Sequence, residues 1–298
     1  SQKTSISISQ INQCYTAETM LKIGAHVSVA KGLIAVLKNV AAMGGNCLQI
    51  FSSSPRSFGT PKFTDSQCSE FKIAAQKLNI SPVFIHACYL INLGSTDEGL
   101  RMRSVKSLTH DLIFAEKIGA KGSIVHTGSH KGNGFLQVLP FVVKSLHEIL
   151  KNTPASTKVY LEIAAGGSGK IGSTFAELKQ MFDGADNKRV GVCLDTCHLF
   201  AGGMRFDTAE NLKNLVAEIE KTVGWERIDC IHTNDSKGDF GSFIDRHENI
   251  GSGKIGTAPF KLLLHHPKFS RIPFIMEVPG FDGKGPDKKN IDILKSLL

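Results

Sequence analysis

The chain has 298 residues, 41% of them hydrophobic and 21% charged, with a net charge of +8. That composition describes a globular protein with a sizeable core, and no apolar run approaches the roughly 20 residues needed to span a bilayer. The basic balance favours polyanionic partners such as nucleic acid over basic ones.

Residues 1–19 are polar, rich in Ser, Thr and Gln, and lack the basic start and apolar stretch of a signal peptide. They read as an N-terminal extension ahead of a single domain over 20–298. From there, short apolar, β-branched runs alternate with longer amphipathic stretches. The expected strands are 21–26, 47–51, 82–86, 123–126, 158–163, 190–195, 228–233 and 272–278. Helix-period segments lie between them, among them 64–78, 101–118, 136–150 and 208–223. Thr64-Asp65 opens one helix, Gly119 closes another, and Ser173-Thr174 stands ahead of a third. Eight strands alternating with helices, with no linker-like tract, predict an α/β fold of the single-domain (β/α)8 TIM-barrel type. A doubly wound dinucleotide-binding sheet is disfavoured, because no GxGxxG turn follows the first strand.

Seven cysteines, several inside apolar strands (Cys47, Cys193, Cys230), suggest reduced, buried thiols and a cytoplasmic protein. Cys193 and Cys197 form a CxxxC pair, but no second pair exists to complete a thiolate metal site.

Ligand-type residues cluster at one place in the pattern. His86, His126, Glu162, Asp195, His232 and Glu277 each fall at or near the carboxyl end of a different strand. In a barrel those ends converge on one face, where such folds build active sites. Residues two positions earlier (Phe84, Ile124, Tyr160, Cys193, Cys230, Ile275) should point the same way and fill the barrel beneath. His198, Asp245 and His247, from connecting segments, extend the set to nine. Imidazoles and carboxylates together suit zinc, and nine ligands exceed one tetrahedral ion, so a cluster suited to phosphoester cleavage is expected. His26 ends the first strand and reads as an outer partner of the ligands. His110, His130, His147, His265 and His266 read as surface, helix or structural histidines.

The segment Gly191-Val192-Cys193-Leu194-Asp195-Thr196-Cys197-His198-Leu199-Phe200-Ala201 resembles a signature of the endonuclease IV family. So do His232-Thr233-Asn234-Asp235-Ser236-Lys237, Asp245-Arg246-His247-Glu248-Asn249-Ile250-Gly251 and Leu161-Glu162 with its Ala165-Gly166-Gly167 turn. The resemblance runs from about Leu21 to the C-terminus. It implies a zinc-dependent deoxyribonuclease of base excision repair, cutting 5′ to abasic sites in duplex DNA and trimming 3′ ends. Three zinc ions are implied, with manganese able to replace one. His86, His126 and Glu162 would hold the first; Glu162, Asp195, His232 and Glu277 the second; His198, Asp245 and His247 the third. Glu162 and Glu277 would be the catalytic carboxylates, and the attacking hydroxide would sit between the first two ions. The products would be a 3′-hydroxyl and a 5′-deoxyribose phosphate.

By the same resemblance Arg56, Tyr89 and Leu90 would enter the DNA and flip out the abasic nucleotide. The enzyme would act as a monomer, with no membrane partner. Ser57, Thr233 and the Leu161–Gly167 stretch, which lacks the family's usual threonines and glutamine, depart from the pattern, and none is a departure at a ligand position. A sugar isomerase or epimerase on a similar barrel is the nearest rival, but such sites serve two cations at most. A non-catalytic nucleic-acid-binding protein with structural zinc is the other, but such sites are closed and cysteine-rich.

Overall fold

The computed structural model describes residues 21–298, so the expected extension at 1–19 lies outside the described residues. Eight parallel strands close into a barrel: β1 (Ile23–His26), β2 (Cys47–Phe51), β3 (Val83–His86), β4 (Gly122–Val125), β5 (Lys158–Glu162), β6 (Val190–Asp195), β7 (Ile228–His232) and, at the end of the chain, β10 (Phe274–Met276). β10 closes the ring by pairing with both β1 and β7. A two-residue ribbon, β8 (Asp235–Ser236) against β9 (His247–Glu248), stands outside it and is antiparallel.

The helices are α1 (Leu33–Ala42), α2 (Asp65–Lys77), α3 (Glu98–Ile118), α4 (Phe135–Lys151), α5 (Phe175–Ala185), α6 (Thr196–Ala201), α7 (Ala209–Thr222), α8 (Thr257–His265) and α9 (Lys288–Ser296). Their boundaries follow local chemistry. Thr64 and Gln67 form a reciprocal capping box at the start of α2, and Gly119 ends α3 in the left-handed region at φ 72°. α3 begins three residues earlier than the periodicity predicts. Asp97 caps it by accepting from the Leu100 N–H at 3.0 Å, which offsets the poor helix propensity of Gly99 in the first turn. No helix among the described residues is long and apolar enough to cross a membrane.

Strand alternation divides the core in two. Outward residues such as Ile85, Leu161 and Val192 pack against the helices. Inward residues Cys47, Phe84, Ile124, Tyr160, Cys193, Cys230 and Ile275 form a separate cluster filling the barrel. Six of the seven are those expected from the alternation; Cys47 is the addition. The remaining strand, β1, contributes Gly24, where a Cβ would stand 1.9 Å from the Cys47 carbonyl oxygen, so only glycine lets β1 approach β2 here. This layer is the floor of the site. The six described cysteines are all free and buried.

Candidate metal centre

The next inward position on each strand brings the ligand-type residues onto this floor. His86, Glu162, Asp195 and His232 end β3, β5, β6 and β7, while His126 and Glu277 lie one residue past β4 and β10. Parallel register sets their heights, pairing Asp195 with His232 and Cys193 with Cys230 beneath them. His198 arrives on α6, the helix that Asp195 caps by accepting from the His198 N–H at 2.8 Å. Asp245 and His247 descend from the loop after β7. All nine residues meet in three groups of convergent donor atoms: His86, His126 and Glu162; Glu162, Asp195, His232 and Glu277; and His198, Asp245 and His247; a fourth group, Asp195, Cys197 and His247, overlaps the last two.

Two observations show that these groups fit metal ions. The first is spacing. Bonds of about 2.0–2.2 Å around a tetrahedral zinc put neighbouring ligand atoms about 3.3–3.6 Å apart. Here Glu162 Oε2 lies 3.3 Å from His86 Nε2 and 3.4 Å from His126 Nδ1, and Glu277 Oε2 lies 3.2 Å from His232 Nδ1. The second is the outer hydrogen bonding of the imidazoles. His86 Nδ1 donates to the Ala87 carbonyl at 2.7 Å and His198 Nδ1 to the Ile163 carbonyl at 2.8 Å, leaving each Nε2 to face the site. The buried Nε2 of His247 has no hydrogen-bond partner, and that of His198 has only Asp245 Oδ1, a ligand-type atom of the same group, at 3.0 Å, the arrangement expected of ligand nitrogens.

Electrostatics follow from four carboxylates (Glu162, Asp195, Asp245, Glu277) among five imidazoles. Burial works against charge at Glu162, Glu277, Asp245, His198 and His232, yet their neighbours outweigh it. Glu162 is held well below the usual carboxylate range by His126, His232 and His86, and Glu277 is lowered by His232, His26 and His86. Asp245 is lowered by His198 and Lys170, whose Nζ donates to it at 2.9 Å. Conversely, Asp195, Asp245 and Glu162 overcome burial at His198 and raise it to about 10, and Glu277 and Glu162 raise His232. His126 goes the other way: burial, joined by His86 and His198, pulls it down to about 4. The site therefore collects positive charge, whether protons or cations.

The centre opens into a cavity of about 580 Å³ lined by Tyr89, Leu90, Lys131 and Lys170 as well as seven of the nine ligand-type residues, Asp195 and His232 lying beneath it. A second groove, of about 1,140 Å³, shares Tyr89, His247 and Glu277 with it and runs past Lys31, Ser52–Pro55, Lys62 and Lys284. Tyr89 is 58% exposed at their junction, its ring edge-on to Phe51 and His86. Its backbone N–H donates to the Pro55 carbonyl at 2.9 Å, tying the Tyr89-Leu90 turn to the loop that exposes Arg56.

A family model described as a xylose isomerase-like TIM barrel matches residues 37–297. A probable endonuclease 4 of Aquifex aeolicus is 39% identical over 279 residues, covering 93% of this chain and 98% of that protein. The chain belongs to the endonuclease IV family. Endonuclease IV from Thermus thermophilus superposes with a TM-score of 0.81 at 30% identity, over 93% of this chain and 98% of that one. A D-tagatose 3-epimerase-like protein also superposes, at a TM-score of 0.67 and 20% identity over 93% and 97%; that likeness is one of fold alone.

This endonuclease IV chain adds two site residues that the sequence reading passed over. Gln49, fully buried on β2, contacts His26, His232 and Glu277. Asn234 donates to Asp195 Oδ2 at 2.7 Å and accepts the Glu277 N–H at 2.8 Å. A glutamine in the apolar run Cys47-Leu48-Gln49-Ile50-Phe51 was a usable signal, since a buried amide needs partners. His26 takes the expected outer position, its Nδ1 3.1 Å from Glu277 Oε1.

Proposed function

We propose that this endonuclease hydrolyses the phosphodiester bond 5′ to abasic sites in duplex DNA, leaving a 3′-hydroxyl and a 5′-deoxyribose phosphate, and trims blocked 3′ ends. It works in the cytoplasm as a monomer, in base excision repair. The three ligand groups hold three divalent cations, zinc by their donor set, with manganese able to take one place. The observation that carries this reading is the third group, His198, Asp245 and His247, set beside the other two. A sugar-isomerase site serves one or two cations and has no use for it.

Bound cations would supply positive charge to the attacked phosphate and its departing oxygen and activate water. The protein's part is placement. Glu162, 1% exposed and common to two groups, holds them in one frame. Glu277, anchored through its backbone by Asn234 and through its side chain by Gln49, faces the same space from the end of β10. Lysines along the groove engage phosphates. Tyr89, Leu90 and Arg56 fill the space left by an extruded nucleotide and hold the kink, a cost of a few kcal/mol that is least where the base is already missing.

The test is to incubate the protein with duplex DNA carrying one abasic site, beside a ketose epimerisation assay, and to count metal by elemental analysis. Incision with more than two equivalents of transition metal is expected. Epimerisation without incision, or a reproducible metal content near one, would overturn the proposal.

A further inference from the structure

Gln49 is uncharged and belongs to none of the ligand groups, yet it joins two of their members. Its Nε2 lies 2.6 Å from Glu277 Oε1 and 2.9 Å from His26 Nδ1, while its Oε1 lies 2.8 Å from His232 Nε2. The orientation of the amide is not arbitrary. A carboxylate oxygen can only accept, so the amide must turn its N–H₂ toward Glu277. Its carbonyl oxygen then faces His232 Nε2, and that nitrogen must carry a hydrogen. The free lone pair of His232 is thereby left on Nδ1, the atom that sits 3.0 Å from Glu162 Oε1 and 3.2 Å from Glu277 Oε2.

We infer that Gln49 is a positioning residue of the metal centre, its amide relaying the fixed acceptor character of Glu277 into the choice of His232 Nδ1 as ligand atom. The role rests on reading the site as a metal centre. The relay differs from the outer contacts of His86 and His198, where a backbone carbonyl fixes one imidazole independently. A side-chain amide instead couples an imidazole on β7 to a carboxylate just past β10, and β2 supplies it from the far side of β1, the strand next to β10 in the ring. Burial makes the coupling strict. Gln49 and His232 are both fully buried, so neither can replace the other's hydrogen bond with water.

The two arms of the amide can be separated. Gln49→Met keeps the volume and loses both. Gln49→Glu keeps an acceptor for His232 Nε2–H but sets a carboxylate against Glu277. Outer partners of metal-binding histidines are worth about 10–100-fold in affinity. In Gln49→Met, one zinc equivalent should therefore need 10–100-fold more free zinc in a chelator-buffered titration, with the other equivalents unmoved. Imidazole ¹⁵N–¹H spectra of the zinc-loaded protein should show the His232 proton on Nε2 in the wild type and in Gln49→Glu, and a tautomer mixture in Gln49→Met. A purely structural role would not move that spectrum. Wild-type titration and spectrum retained in both variants would overturn the inference while leaving the metal centre intact, and so would simultaneous loss of every equivalent. A wild-type chain that takes up no zinc would bring down the metal reading itself, and the inference with it.

Discussion

His232 and His247 both turn an imidazole toward Asp195 Oδ2, at 3.8 and 3.7 Å, yet they reach it by unlike means. His232 ends a barrel strand and is fully buried. Its height and direction are consequences of parallel register with β6 and β10. His247 lies on a two-residue ribbon in a loop, its side chain 19% exposed. No barrel register reaches that far, so the loop carries its own scaffold. The Asp235 carboxylate, buried at the base of the ribbon, accepts from five backbone N–H groups: Ser236, Gly251, Gly253, Ile255 and Gly256. A strand-delivered residue inherits its precision from the sheet, whereas a loop-delivered one needs a dedicated polar anchor.

The largest expected effect is at Glu162, the carboxylate common to the two strand-delivered groups. Glu162 sits 3.0 Å from His232 on the strand side and 3.3 Å from His198 on the other. Glu162→Gln replaces a carboxylate that can serve two cations with an amide that cannot. Turnover should fall by more than about 100-fold, beyond the range typical of outer partners, with DNA binding retained because the groove lysines are untouched. Near-normal turnover at full metal content would remove Glu162 from the centre of the site.

Asp235→Asn should separate the two regions. An amide nitrogen cannot accept, so several of the five N–H groups lose their partner inside the protein, at a cost of about 2–3 kcal/mol. The loop should loosen, and metal held by His198, Asp245 and His247 should be lost at chelator concentrations that spare the strand-delivered groups. Loss of all metal in one step would mean that the loop has no scaffold of its own.

The same contrast explains what was legible in the sequence. The barrel strands were readable to within two residues because alternation and turn signals are local, and their ends located His86, Glu162, Asp195 and His232 without further information. His198, Asp245 and His247 were pointed to by residue type and spacing, but their grouping came only from a family resemblance, since nothing local says how a loop folds back. Gln49, Asn234 and Asp235 were not assigned at all. Gln49 meets Glu277 across 228 residues of chain, and Asp235 meets the turn at Gly256 across 21. Partners that distant leave only the hint of a polar residue in an apolar or glycine-rich setting.

The smallest effect concerns a tether between scaffold and loop. Asp111, 2% exposed on α3, accepts from the Ser52 hydroxyl at the end of β2, where the chain leaves the barrel toward Arg56. Its second oxygen, Oδ2, has no partner. Burial pushes the carboxyl up to about 7, more than the Ser52 hydrogen bond and the nearby His86 pull it down. A folded-state value above the unfolded one means the folded protein binds the proton more tightly. The resulting stability is complete below about pH 4 and drains away as pH rises through about 7. Asp111→Asn, which stays neutral, removes this dependence. Each tenfold difference in proton affinity is worth about 1.4 kcal/mol, so denaturation curves of parent and variant should diverge by about 2 kcal/mol between pH 5 and pH 8, the parent losing more. Parallel pH profiles would show that Asp111 is ionised across this range, and the link from α3 to the Arg56 loop would then be an ordinary charged hydrogen bond rather than a neutral one.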